Sequence, residues 1–210
     1  MIPAARESFA AARKRLPYDA EVQYLQSSGT QYIDTGFTPS ANAGMMLDFA
    51  PIQRGGTTVV AGSRTSGTNT RFWVNPSVAI SSQPLMACGF GDVYTFDGVN
   101  YSLGVRYQVA VNYLASGYAE FLGHHVSLST FAGNPWSVYL FAANVSGTAT
   151  FAATSTARIY GAAISRGGIL VRDFIPVRKG GVGYMYDRIS GRLFGNAGTG
   201  AFTIGPDKTA

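Results

Sequence analysis

Residues 27–36 read SSGTQYIDTG, in which Gly29 and Gly36 flank the alternating segment Gln31-Tyr32-Ile33-Asp34-Thr35. Successive side chains of a strand point to opposite faces of its sheet, so this alternation suits a strand buried on one side. Ile33 then points inward, while Tyr32 and Asp34 share the other face. The competing reading makes Asp34 a working carboxylate, and a second acid at catalytic spacing would decide for it.

That second acid is missing. Glycoside cleavage by paired carboxylates needs an acid and a base or nucleophile at a close, fixed separation. Glutamate occurs only at Glu7, Glu21 and Glu120, and none is followed by a carboxylate two or four residues on, the spacing that puts two acids on one strand face. Asp92 and Asp97 are five apart, which places them on opposite faces of a regular strand. No catalytic residue is assigned, the chain is read as a non-enzyme, and Asp34 is read as a structural residue of a sheet edge or turn.

Composition points the same way. Of 210 residues, 13% are charged and 26 are Gly, with Thr, Ser, Tyr and Phe recurring throughout. β-Branched and aromatic side chains suit a pleated surface and glycine suits its corners, so many short strands and tight turns are expected. The length fits one domain with its own core. Cys88, within PLMACGF, is the single cysteine; it allows no internal disulfide and reads as a small buried apolar residue.

No window reaches the roughly 18 apolar residues of a membrane span. Glu7, Arg13, Lys14 and Arg15 interrupt anything like the apolar core of a signal peptide. The expectation is a chain made in the cytoplasm, with later release by lysis left open. The net charge of +5 is unevenly placed: Arg6, Arg13, Lys14 and Arg15 against Glu7 put +3 in the first 16 residues. The body lacks the clustered basic face of a nucleic-acid binder, so neither nucleic acid nor membrane is expected as a partner.

Residues 2–16, IPAARESFAAARKRL, carry Ile2, Ala5, Phe9, Ala12 and Leu16 at steps of three and four, an apolar stripe at heptad spacing. Pro17 stops the helix, because proline disfavours helical geometry in the residue before it. Residues 1–17 are therefore read as an amphipathic attachment or oligomerisation helix. Its stripe wants the body of the domain, a second copy, or another protein.

Residues 18–210 form the β domain. Strands are expected at Val22–Gln26, Gln31–Thr35, Gly44–Phe49, Thr57–Gly62, Arg71–Val74, Val78–Ser81 and Val93–Phe96. Others follow at Tyr107–Tyr113, Tyr118–Leu122, Ser137–Phe141, Ala157–Ile164 and Ile169–Pro176. Turns fall at RGG 54–56, SGTN 66–69, DGVN 97–100 and SRGG 165–168. A C-terminal hairpin spans 182–204, with Asp187 and Ser190 as local acceptors in its D-R-I-S-G turn and Gly191 at a positive φ. Many antiparallel strands without alternating helices argue for an all-β, two-sheet sandwich of the jelly-roll kind.

Four segments carry a family resemblance: YLQSSGTQYIDTGF at 24–37, WSVYLFAANVSG at 136–147, ARIYGAAISRGGILVRDFIPVRKGGVGYMYD at 157–187 and FGNAGTGAF at 194–202. In this order they resemble the laminin G-like, concanavalin A-like lectin/glucanase domains of gut-bacterial, phage and prophage proteins, over about residues 22–206. The resemblance implies two antiparallel sheets packed face to face, with first and last strands paired. Tyr24, Leu25, Ile33, Tyr139, Phe141, Ile159, Ile164, Leu170, Val171, Phe174 and Ile175 would then be mainly packing residues. GAAISRGG departs from the family pattern, which more often has a larger aromatic strand before this turn.

Sugar sites commonly set a flat ring beside amide, carboxylate or guanidinium groups. Arg71, Trp73 and Asn75 offer that mixture, as do Tyr94, Asp97, Asn100 and Tyr101, and these seven are the expected ligand-binding residues. Asp92, Asp97 and Asn100 also supply hard oxygens for calcium, the one cofactor considered. His124 and His125 are adjacent and lack a third ligand, so no metal centre is assigned to them. The expectation is a lectin-like adhesion or assembly module of a phage or prophage virion, a fibre, decoration or receptor-binding component that meets cell-surface glycans. The alternatives are a bacterial carbohydrate-binding surface protein and, third, a glycoside hydrolase.

Overall fold

The computed structural model describes residues 16–53, 59–67, 69–79, 84–150 and 156–209. In chain order its strands are β1 (Ala20–Glu21), β2 (Leu25–Gln26), β3 (Ile33–Asp34), β4 (Ala43–Pro51), β5 (Ala61–Arg64) and β6 (Arg71–Ala79). They continue as β7 (Pro84–Thr95), β8 (Tyr107–Val111), β9 (Tyr118–Phe121), β10 (His124–Ser127), β11 (Tyr139–Leu140) and β12 (Ala143–Val145). The last six are β13 (Thr148–Thr150), β14 (Ala157–Arg166), β15 (Ile169–Lys179), β16 (Val182–Asp187), β17 (Arg192–Phe194) and β18 (Thr203–Ile204).

Two sheets result. The larger has eleven strands and runs β10-β9-β8-β4-β14-β15-β16-β17, with β1 beside β15 and β2 between β14 and β18. The smaller has seven, running β13-β12-β5-β11-β3 with β6 on β5 and β7 on β6. Among the described residues every pairing is antiparallel except that of β12 with β5. The all-β, two-sheet, sandwich-like architecture expected from composition and turn spacing is therefore present.

The two sheets share one buried cluster. Met45, Leu47 and Phe49 of β4 and Ile159, Ala162 and Ile164 of β14 supply it from the larger sheet. Phe72 and Val74 of β6, Met86, Cys88 and Phe90 of β7 and Leu140 of β11 supply it from the smaller. Each fully buried large side chain contributes roughly 1.5–3 kcal/mol, so these alternating inward positions dominate the stability of the fold. Ile33 is wholly buried and Asp34 half-buried, as the alternation at residues 31–35 requires. The Asp34 carboxylate accepts the Gly36 N–H at 2.9 Å, the job of a turn residue.

Chain ends meet as expected, with β2 pairing β18 through Gln26–Thr203 and Leu25–Ile204. Between β14 and β15 the chain reverses through Gly167 and Gly168, both at positive φ (57° and 81°), the requirement of a two-residue hairpin loop. The GAAIS segment stays in β14, between β4 and β15, and its small residues coincide with a register shift against β4 between Ile159 and Gly161. In the C-terminal hairpin Asp187 accepts bonds from the Ile189 and Ser190 amides and Gly191 has φ 69°. Ser190 differs from expectation: its hydroxyl donates to Asp187 instead of accepting.

Other expectations shift. Arg71–Val74 and Val78–Ser81 are not two strands; the described part runs without a break as β6, with a register irregularity between Asn75 and Val78. Val93–Phe96 is only the end of the 12-residue β7, whose stretch 84–92 lacks a clean alternation because glycine and alanine fill its outer positions. β10, β12 and β13 were not foreseen, being three or four residues long and adjoining polar turns. The helix expected over 1–17 falls almost wholly outside the described residues, with Ile2, Ala5, Phe9 and Ala12. Leu16 is described and is 56% exposed.

Candidate functional site

β6 turns Phe72 and Val74 into the core, so Arg71, Trp73 and Asn75 point to the outer face of the smaller sheet. There they line a cleft of about 340 Å³ together with Arg64 of β5. Its walls are apolar, from Val59, Val93, Ala143 and Val145, with Thr150 of β13 at one side. A volume in this range suits a small organic ligand or a short saccharide.

Trp73 is held by what its neighbours lack. Its cross-strand partners are Gly62 on β5 and Gly89 on β7, so neither adjoining strand has a side chain beside the indole. A Cβ on Gly89 would stand 2.9 Å from the indole Cε2 and Nε1, and one on Gly62 would strike the Trp73 backbone and Cβ. The ring is thereby packed down on the sheet and only 5% exposed. It forms the cleft floor, not the open stacking platform expected from sequence.

The polar groups of the cleft are unevenly paired. The Arg71 side chain is 20% exposed and its nearest carboxylate, the exposed Asp92, lies at 4.0 Å. Among the described residues Arg64 has no ion-pair partner. Asn75 is wholly buried on β6. Among the described residues the cleft lining contains no Asp or Glu, and so no acid and base facing one another across a bound sugar.

The remaining expected ligand residues lie elsewhere. Tyr94 faces the opposite way from Val93, packs on the core and bonds Ser129 through its hydroxyl, tying β7 to the 128–131 segment. Tyr101 is a core residue, 7% exposed, edge-on to Tyr107 and Phe121. Asp97 and Asn100 are exposed on the turn after β7, outside the cleft. The sequence placed these four on one strand end; the turn at 96–100 and the alternation of β7 separate them from Trp73. Val59, Arg64, Val93, Ala143, Val145 and Thr150 were the residues missed. The period-two pattern of β5 could have pointed to Arg64, since Ala61 and Ser63 are its inward residues.

For calcium, Asp92 is met by the Arg71 guanidinium and by the Val93 amide at 2.8 Å, and a cation beside it opposes a second one. Among the described residues no group of three or more His, Cys, Asp and Glu forms a metal cluster. His124 and His125 are both exposed on β10; His125 stacks on Tyr118 and lies 3.5 Å from Glu120.

Carboxylates outside the cleft are mostly tied to arginine. Asp48 forms a two-point pair with Arg106, which also lies over the Tyr160 ring. Asp173 pairs with Arg188, and the buried Asp187 has Arg172 at 3.7 Å. Asp19, two residues before Glu21, faces Arg178 and accepts the Gly180 amide, while Glu21 faces Lys208. Comparison of the chain with protein-family models, with curated proteins and with solved structures finds no match.

Proposed function

We propose that this chain is a non-catalytic, lectin-like binding module of concanavalin A-like, laminin G-like jelly-roll type, serving adhesion or assembly on a phage or prophage virion. One observation carries the binding role: the outer face of the smaller sheet gathers Trp73, Arg71, Arg64 and Asn75 around a cleft of saccharide size. An indole floor, apolar walls and a few fixed polar groups are the ingredients of a sugar site. The four motifs at 24–37, 136–147, 157–187 and 194–202 support the family and, through it, the virion setting. Residues 1–17 are the attachment element in this reading, with another virion protein or a second copy as partner.

Retention of the full chain on a glycan array and on bacterial cells is the test. Wild type is expected to be retained, and Trp73→Ala to lose roughly tenfold or more in affinity while Trp73→Phe keeps part of it and melts like wild type. No retention of wild type on glycans or cells would sink the glycan reading. Full retention by a folded Trp73→Ala would remove the site from this cleft. Finding the chain in purified particles after induction of a lysogen tests the virion setting.

A further inference from the structure

The cleft concentrates positive charge with little to balance it. Strands β5 and β6 pair Ser63 with Phe72, and one step further along stand Arg64 and Arg71, both lining the cleft. Like charges opposite one another on a sheet face repel, so this arrangement costs stability unless something negative sits between them. Among the described residues the one carboxylate paired with either arginine is Asp92, exposed and at 4.0 Å from Arg71. The surrounding sequence offers nothing more: from Phe49 to Gly91 there are three arginines, Arg54, Arg64 and Arg71, and no Asp or Glu. Residues 139–150, which form β11 to β13 on the other side of β5, contain no charged residue at all.

Two guanidiniums in a partly enclosed, apolar-walled cleft match an anion that can take paired N–H bonds, a carboxylate or a sulfate. The neighbouring indole and the apolar walls match the carbon face of a ring that carries it. We propose that the ligand of this cleft is an acidic saccharide, whose sugar-borne carboxylate or sulfate sits between Arg64 and Arg71. This rests on the glycan-binding reading above and narrows it. Thr150, at the side of the cleft, then faces a hydroxyl of the same ring.

The full chain is titrated calorimetrically, and displayed on an array, with matched neutral, uronate-bearing and sulfated oligosaccharides. Acidic ligands are expected to bind at least about tenfold more tightly than their neutral counterparts, with the gap shrinking as NaCl is raised, because salt screens exposed charge pairs. The uronate and sulfate arms identify which anion is used. Arg64→Gln and Arg71→Gln should each erase most of that preference, while Arg64→Lys and Arg71→Lys, which keep the charge, retain part of it. Equal binding of neutral and acidic ligands overturns the acidic preference and leaves the glycan reading standing. Binding of no saccharide overturns both. An acidic preference that survives both glutamine substitutions in folded protein also overturns the proposal, because the anion would then sit elsewhere.

Discussion

Cys88 lies on β7 with its side chain wholly in the core, between the inward positions of Met86 and Phe90. Burial pushes its thiol up from an ordinary 9.0 to about 12, because an apolar interior disfavours the thiolate. The sign follows directly. The folded state holds this proton more tightly than the unfolded chain, so Cys88 contributes stability that is fully present below pH 9 and is lost as pH rises from 9 toward 12. A disulfide reagent at pH 8 is therefore expected to leave native protein unlabelled and to modify one thiol per chain in denaturant; prompt labelling of the native protein would contradict the burial. The cysteine's role was readable from PLMACGF, since a lone cysteine among apolar residues is usually a packing group. Trp73 was readable only in part: its outward direction follows from alternation, but its near-complete covering depends on Gly62 and Gly89 of other strands.

Strands β5, β6 and β7 form the unit that builds the cleft, and their glycines set how closely the backbones approach. Gly62 has φ +149°, a conformation L side chains rarely adopt, and faces Trp73 across the β5–β6 ladder. Gly62→Ala is expected to cost about 2–4 kcal/mol in urea unfolding, through strain and a clash with the Trp73 backbone. It should also shift Trp73 fluorescence; a variant as stable as wild type with an unchanged spectrum would show that the ladder relaxes freely. The long strands β4, β14, β15 and β16 were legible because their apolar residues alternate and glycine pairs such as Gly167-Gly168 mark their ends. β7 was missed in its first half because glycine and alanine at 87, 89 and 91 erase the outward half of the pattern.

At the scale of the molecule, the two ends of the described chain are fastened to each other and to β15. Arg178 of β15 bonds Asp207 through two nitrogens at 2.7 Å and lies 4.0 Å from Asp19, while Val22 bridges to Asp207 and Lys208 reaches Glu21. The Arg178 hydrogen bond holds the Asp207 carboxyl below its ordinary 3.8. A depressed acid contributes stability that is present above pH 3.8 and is lost as pH falls through its lower folded value. An NMR titration is expected to give Asp207 a midpoint below 3.8, moved back toward it by Arg178→Gln; an unshifted wild-type midpoint would mean the pair does not form. The pair is exposed, so salt should weaken it.

The sequence by itself determined the all-β, two-sheet class, the inward residues of the long strands, the turns at 167–168 and 187–191 and the turn bond of Asp34. All of these depend on chemistry within a few residues: alternation, positive φ at glycine, and an acceptor two residues from its donor. Only the tertiary structure decided the cleft. Arg64, Arg71, Trp73, Val93 and Ala143 come from four strands, and the same packing laid Tyr94 against the core, buried Tyr101 in it and left Asp97 and Asn100 on a turn outside the cleft. Which strands become neighbours is set by how two sheets bury their shared core. No local pattern encodes that choice, because strand order depends on contacts far apart along the chain.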